Sequence, residues 1–124
     1  MDISAWSPRL LSVLRIVAGL LFFAHGVAKL LHFPAPAPMP MSTLLFSAGV
    51  IELVGGALVT IGLFTRPAAF IMAGEMAVAY FMVHMARSFF PTQNGGDAAI
   101  LFCFIFLYIA AAGPGPWSID AKRR

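Results

Sequence analysis

The chain has 124 residues, 60% of them hydrophobic and 10% charged, with a mean hydropathy of +0.90. This excludes an ordinary soluble domain, and because each crossing of a ~30 Å hydrocarbon core takes about 20 apolar residues, the length holds one transmembrane domain and no appended soluble enzyme. The net charge of +3 comes mostly from bases near the ends of apolar runs, which points to membrane orientation rather than nucleic acid, and the single Cys103 excludes a self-contained disulfide or CxxC mechanism.

The first apolar run, 10–33, follows the helix-start signal Ser7-Pro8. It is too long for a signal peptide, carries Arg15 and Lys29, and shows no small-residue cleavage site before a soluble domain. Pro34, Pro36, Pro38 and Pro40 predict an extended connector or short re-entrant loop. The second run, 42–64, ends at Thr65-Arg66-Pro67, a predicted tight turn that makes the second and third segments antiparallel neighbours. The third, 68–90, stops at Pro91, and 91–97 (PTQNGGD) reads as a polar loop. A short fourth run, 98–112, ends at Gly113-Pro114-Gly115-Pro116, before a polar, basic tail at 117–124. The expected fold is all-α: a single domain over 1–124, a four-transmembrane-helix bundle running up-down-up-down. Arg9, Arg15, Arg66, Lys122, Arg123 and Arg124 fall on one side and Lys29 and Arg87 on the other, so both termini are expected in the cytoplasm, with Trp6 and Trp117 as interfacial anchors there.

Glu52 lies in the uncharged run 39–64, where a carboxylate is costly and ordinarily faces a partner charge, a bundle interior or a ligand. At a rise of about 1.5 Å per residue, His25 and Glu52 reach similar depth, roughly 18 to 23 Å from the inner edge. Lys29, His84 and Arg87 lie higher, with Asp97 near the outer mouth. Helical phase places Arg15, Gly19, His25, Gly26 and Lys29 on one stripe of the first helix, and Ala48, Glu52, Gly55 and Val59 on one face of the second. On the third, Ala73, Ala77, Tyr80, His84 and Arg87 share a stripe, while Glu75 falls on the other side and is expected either to pair with Arg15 or to face a neighbouring subunit. His25, Lys29, Glu52, His84, Arg87, Asn94 and Asp97 therefore form the candidate ligand-binding set. The same residues also admit plainer roles: a buried ion pair that fixes helix register, hydrogen-bonded core histidines, and bases that snorkel to headgroups.

Five segments in order, LRIVAGLLFFAHGVAKL at 14–30, IELVGGALVTIGLFTRPAA at 51–69, MAVAYFMVH at 76–84, NGGD at 94–97 and GPGPWSID at 113–120, resemble the DoxX family of small four-helix membrane proteins. The shared pattern covers Arg15, Gly19, Gly26, Lys29, Glu52, Gly55, Gly56, Arg66, His84, Asn94 and the Gly113-Pro114-Gly115, Ser118 and Asp120 tail. Position 97, commonly Glu in the family, is Asp97 here, and His25 and Glu75 are less typical. The family takes its name from a subunit associated with a membrane thiosulfate:quinone oxidoreductase, and other members are linked to thiol stress. The resemblance implies a multi-pass protein of a bacterial-type inner membrane, connected to quinone or sulfur redox chemistry.

The leading expectation is a quinone or other small redox ligand in the outer half of the bundle, with the chain a membrane subunit or accessory of an oxidoreductase. The chain shows no haem, flavin or metal signature and no cysteine pair, so redox turnover needs a partner subunit or soluble donor. The alternatives are a non-catalytic scaffold that recruits a redox enzyme or forms a homo-oligomer, and a small-solute transporter, which four short helices could form only as an oligomer.

Overall fold

Ser7-Pro8 opens the first long helix as its spacing predicts, because proline at the first helical positions gives up an N–H that has no intrahelical partner. The structure is a computed structural model that describes residues 2–35 and 41–123, so the connector expected at Pro36, Pro38 and Pro40 lies outside the described residues. Helix α1 spans Ser7–Leu31 after a 3-10 turn at Ile3–Trp6. Helix α2, Thr43–Ile61, begins where the Ser42 hydroxyl accepts the Leu45 N–H at 3.1 Å and ends at Gly62, whose φ of 74° turns the chain out of the helix. Helix α3 spans Thr65–Ala79 and continues as a π-helical turn at Tyr80–His84. After it come the short α4, Pro91–Asn94, then α5, Asp97–Ala112, and α6, Ile119–Lys122. Among the described residues there is no strand.

Two boundaries differ from the expected ones. The reversal between α2 and α3 occurs at Gly62 and Phe64, both with positive φ, and Thr65-Arg66-Pro67 is the first turn of α3. Proline is tolerated there because the first-turn N–H groups lack helical partners in any case. The third segment leaves α-geometry at Tyr80, and the Met85 N–H reaches back to the Tyr80 carbonyl at 2.8 Å.

Three helical stretches, Ile3–Leu31, Thr43–Ile61 and Thr65–His84, are long and apolar enough to cross a membrane, and Asp97–Ala112 is a shorter apolar helix. Helices α1 and α2 run antiparallel in close contact, with Gly19 against Thr60, Gly56 against Phe23, Gly26 against Leu53 and Gly49 against Leu30. A Cβ on Gly56 would stand 2.6 Å from the Phe23 nitrogen, and one on Gly26 would overlap the Leu53 backbone. Small residues here let the two backbones meet, which replaces the hydrophobic drive that lipid does not supply. Phe22, Val59, Met72, Phe106 and Ile109 form the core, with Phe22 and Phe106 edge to face at 4.9 Å. Val17, Leu20, Phe70, Leu101 and Phe104 point outward, as lipid-facing side chains do.

The tail closes one end of the bundle. Arg15, fully buried, donates from Nε to the Val59 carbonyl at 2.9 Å, from Nη2 to the Trp117 carbonyl at 2.6 Å, and from Nη1 to the Pro114 carbonyl. The Asp120 carboxylate accepts the Phe64 and Thr65 N–H groups at 3.0 and 2.9 Å, so the orphan donors at the start of α3 are capped from the far end of the chain. Trp117 N–H donates to Ser12 Oγ at 3.1 Å, which brings Trp117 to the same end as Trp6.

Candidate functional site

At the other end of α1, Lys29 sits in the last turn, where a cation complements the helix dipole. Helical side chains lean toward their own N-terminus, so Lys29 reaches back one turn toward α2. Its Nζ donates to both oxygens of Glu52, at 2.7 and 2.6 Å. Glu52 has no exposed side-chain area and Lys29 retains 19%, so the pair is a buried, charge-assisted clamp between α1 and α2. It also rules out the snorkelling role for Lys29.

The clamp stands on the wall of a cavity of about 480 Å³. Helix α1 contributes Phe22, His25 and Lys29, and α2 contributes Leu44, Leu45, Ala48 and Glu52. From α3 and its π-turn come Glu75, Met76, Val78, Ala79, Met82, Val83 and His84, and Arg87, Gly95, Ala98, Ala99 and Phe102 complete the wall. Volume and lining are those of a small-molecule site: an apolar chamber with a few converging polar groups.

The π-turn explains why Glu75 and His84 share this chamber, although α-helical phase sets them on opposite sides. Each π step rotates the chain less than the ~100° of an α step, so five of them swing His84 back toward the face that carries Glu75. The Arg15–Glu75 pair is not formed. Arg15 is spent on three carbonyls at the tail end, because a guanidinium is satisfied as well by backbone oxygens as by a carboxylate, and Glu75 instead lies beside Glu52 and Lys29. Its Oε1 is buried without a hydrogen-bond partner.

The remaining candidates separate. His84 Nδ1 donates to the Asn94 carbonyl at 3.1 Å, and His25 Nδ1 to the Leu21 carbonyl at 2.8 Å, which leaves each Nε2 as an acceptor. His25 is exposed, its ring edge toward Phe102. Asn94, although buried, is not on the cavity wall: its Nδ2 donates to Tyr80 Oη and the Ser88 carbonyl at 3.2 and 3.0 Å, and its Oδ1 accepts from Gly96 N–H at 2.8 Å. It holds the loop whose carbonyl orients His84. Asp97 is exposed at the start of α5 and also lies off the wall. Tyr80, on the stripe the sequence outlined but given no part there, stacks 6.4 Å from His84 and anchors Asn94. Among the described residues no group of three or more His, Cys, Asp or Glu could hold a metal ion.

At the tail, Asp120 is opposed by burial, but the Thr65 and Phe64 N–H groups and the nearby Arg123 charge outweigh that, so its carboxyl sits below its ordinary value.

A DoxX family model matches residues 10–85. An uncharacterized protein of Haemophilus influenzae is 43% identical over 98% of this chain and 96% of its own length. The Escherichia coli inner membrane protein YphA is 28% identical over 98% of this chain and 95% of that protein. A Bacillus subtilis protein named "Putative oxidoreductase CatD" is 31% identical over 87% of this chain and 82% of that protein. No solved structure matches the chain. Matched by the family model over more than half its length and by the Haemophilus protein over nearly all of it, the chain belongs to the DoxX family of membrane proteins.

Proposed function

We propose that this protein binds a quinone-type or similar small redox ligand in the cavity and serves as a membrane subunit or accessory of an oxidoreductase system. In this reading it crosses a bacterial inner membrane four times, with both termini cytoplasmic and the cavity in the outer half. The observation that carries the reading is the meeting of a buried Lys29–Glu52 clamp with His84 and Arg87 inside an otherwise apolar chamber. The oxidoreductase name of the Bacillus relative and the inner-membrane name of the Escherichia relative agree with it.

A quinone, when bound, supplies two-electron, two-proton redox chemistry. The third Lys29 N–H and the Arg87 guanidinium are donors for ring carbonyls, and the Nε2 atoms of His25 and His84 are acceptors for ring hydroxyls. Phe22, Leu45, Met76 and Phe102 give the ring and its tail an apolar surface and keep water from the clamp.

Protein purified in mild detergent is expected to carry quinone in its extracted lipids, and Glu52→Gln and His84→Ala are expected to lose it. Wild-type protein without quinone, and unprotected against heat when quinone is added, would favour the scaffold reading. The specific observation behind that second reading is that the clamp joins α1 to α2 and so locks the bundle.

A further inference from the structure

Three charged side chains stand together at the cavity wall, and they are unequally spent. Lys29 uses two of its three N–H bonds on Glu52, and Glu52, wholly buried, accepts on both oxygens. Glu75 is only half-buried and lines the cavity against the Glu52 carboxyl, and its Oε1 is shielded without a donor among the described residues. An unsatisfied buried carboxyl oxygen costs free energy until something donates to it. Lys29 makes no bond to it, directing two of its N–H bonds to Glu52. Arg87 also lines the chamber but has no bond to Glu75. The two histidines add acceptors rather than donors, since each Nδ1–H is committed to a backbone carbonyl. Helix α5 brings no charged group to this wall; it contributes Ala98, Ala99 and Phe102.

Glu75 Oε1 is thus an acceptor on the cavity wall that no donor of the described residues serves. We propose that Glu75 is the specificity-determining contact of the cavity, accepting a hydrogen bond from a hydroxyl on the ligand's ring, so that the cavity prefers a hydroxylated, uncharged aromatic head group over one with carbonyl or ether oxygens alone. This rests on the ligand reading given above and deepens it: of a quinone couple, the hydroquinone form is the one held more tightly. A site built to hydrogen-bond a hydroxyl rejects the analogue that lacks it, because its own polar group is then left unpaired.

The test uses a short-tailed alkylhydroquinone, its dimethyl ether and the corresponding quinone, titrated by calorimetry into full-length protein in mild detergent. Wild-type protein is expected to bind the hydroquinone at least about tenfold more tightly than the ether, the factor that one hydrogen bond to a carboxyl commonly supplies. Glu75→Gln, whose amide oxygen still accepts, is expected to keep most of that preference, and Glu75→Leu to abolish it while still binding the ether. Thermal unfolding checks that Glu75→Leu folds, with the unbranched Glu75→Met in its place if it does not. Equal wild-type affinity for hydroquinone and ether, or a preference that survives in the leucine or methionine variant, would overturn the assignment of Glu75 and leave ligand binding standing. Failure of all three probes to bind wild-type protein would overturn the ligand reading itself, and this inference with it.

Discussion

Lys29 and Glu52 hold each other where neither could stand alone. A charge stranded by loss of its partner costs about 3 to 5 kcal/mol in a buried setting, reduced here because Lys29 keeps contact with its surroundings, whereas replacing both partners by apolar groups of similar size is often close to neutral. Lys29→Met and Glu52→Leu are each expected to lower stability by about 2 to 4 kcal/mol, and the double variant to recover at least half of the loss. Unfolding in detergent measures this, and a double variant no more stable than the worse single one would show that the pair's geometry, not its charge balance, is what matters. Arg15 shows where residue-scale reading stops. A sequence shows charges but not carbonyls, so the nearest opposite charge at comparable depth, Glu75, stood in for three backbone oxygens that only the folded tail brings together.

Asp120 supplies a pH dependence with a definite sign. Its carboxyl lies below its ordinary value, so its stabilising bonds to Phe64 and Thr65 are complete above the unfolded value of about 4 and are lost as pH falls through the lower folded value. Protease cleavage after residue 113 is expected to accelerate only in that acidic range, and Asp120→Asn to cleave quickly at every pH. A wild-type cleavage rate flat into acid, or an Asp120→Asn variant as resistant as wild type, would remove Asp120 from this role.

Among the elements, α1 and α2 were the most legible. Their small residues at helical spacing marked the faces that meet, and the same phase set Glu52 toward Lys29. The third segment was not legible at either end. Its start is capped from Asp120, more than fifty positions away, so Thr65-Arg66-Pro67 read locally as a turn. Its far end carries the π-turn, which no regular period encodes, and this is why Glu75 seemed excluded from the wall it shares with His84. Inserting one alanine after the exposed Phe81 adds a helical step and should carry His84 about 100° off the cavity face. Quinone co-purification is expected to fall to background while the far-UV helical signal is kept, and undiminished occupancy would show that the π-turn does not position the site.

For the molecule as a whole, the composition made a membrane protein evident, and three helical stretches long enough to cross agree with it. Helix α5 covers only about 24 Å at 1.5 Å per residue, less than the ~30 Å of a hydrocarbon core. Arg66 closes its end, since its Nη1 donates to the Ala110 and Ala111 carbonyls in the last turn of α5. The cavity was foreshadowed by its polar residues but not by its walls, because a void is a property of how four segments diverge and not of any one of them.

The most direct measurement is photolabelling of the protein in its native membrane with an azido-quinone, followed by mapping of the labelled peptides. Ligand binding in the cavity predicts label on Ala48, Met76, Ala79 and Phe102, displaced by excess unlabelled quinone and absent in Glu52→Gln. Label spread over the lipid-facing Leu20, Phe70 and Phe104, and unaffected by competitor, would contradict it.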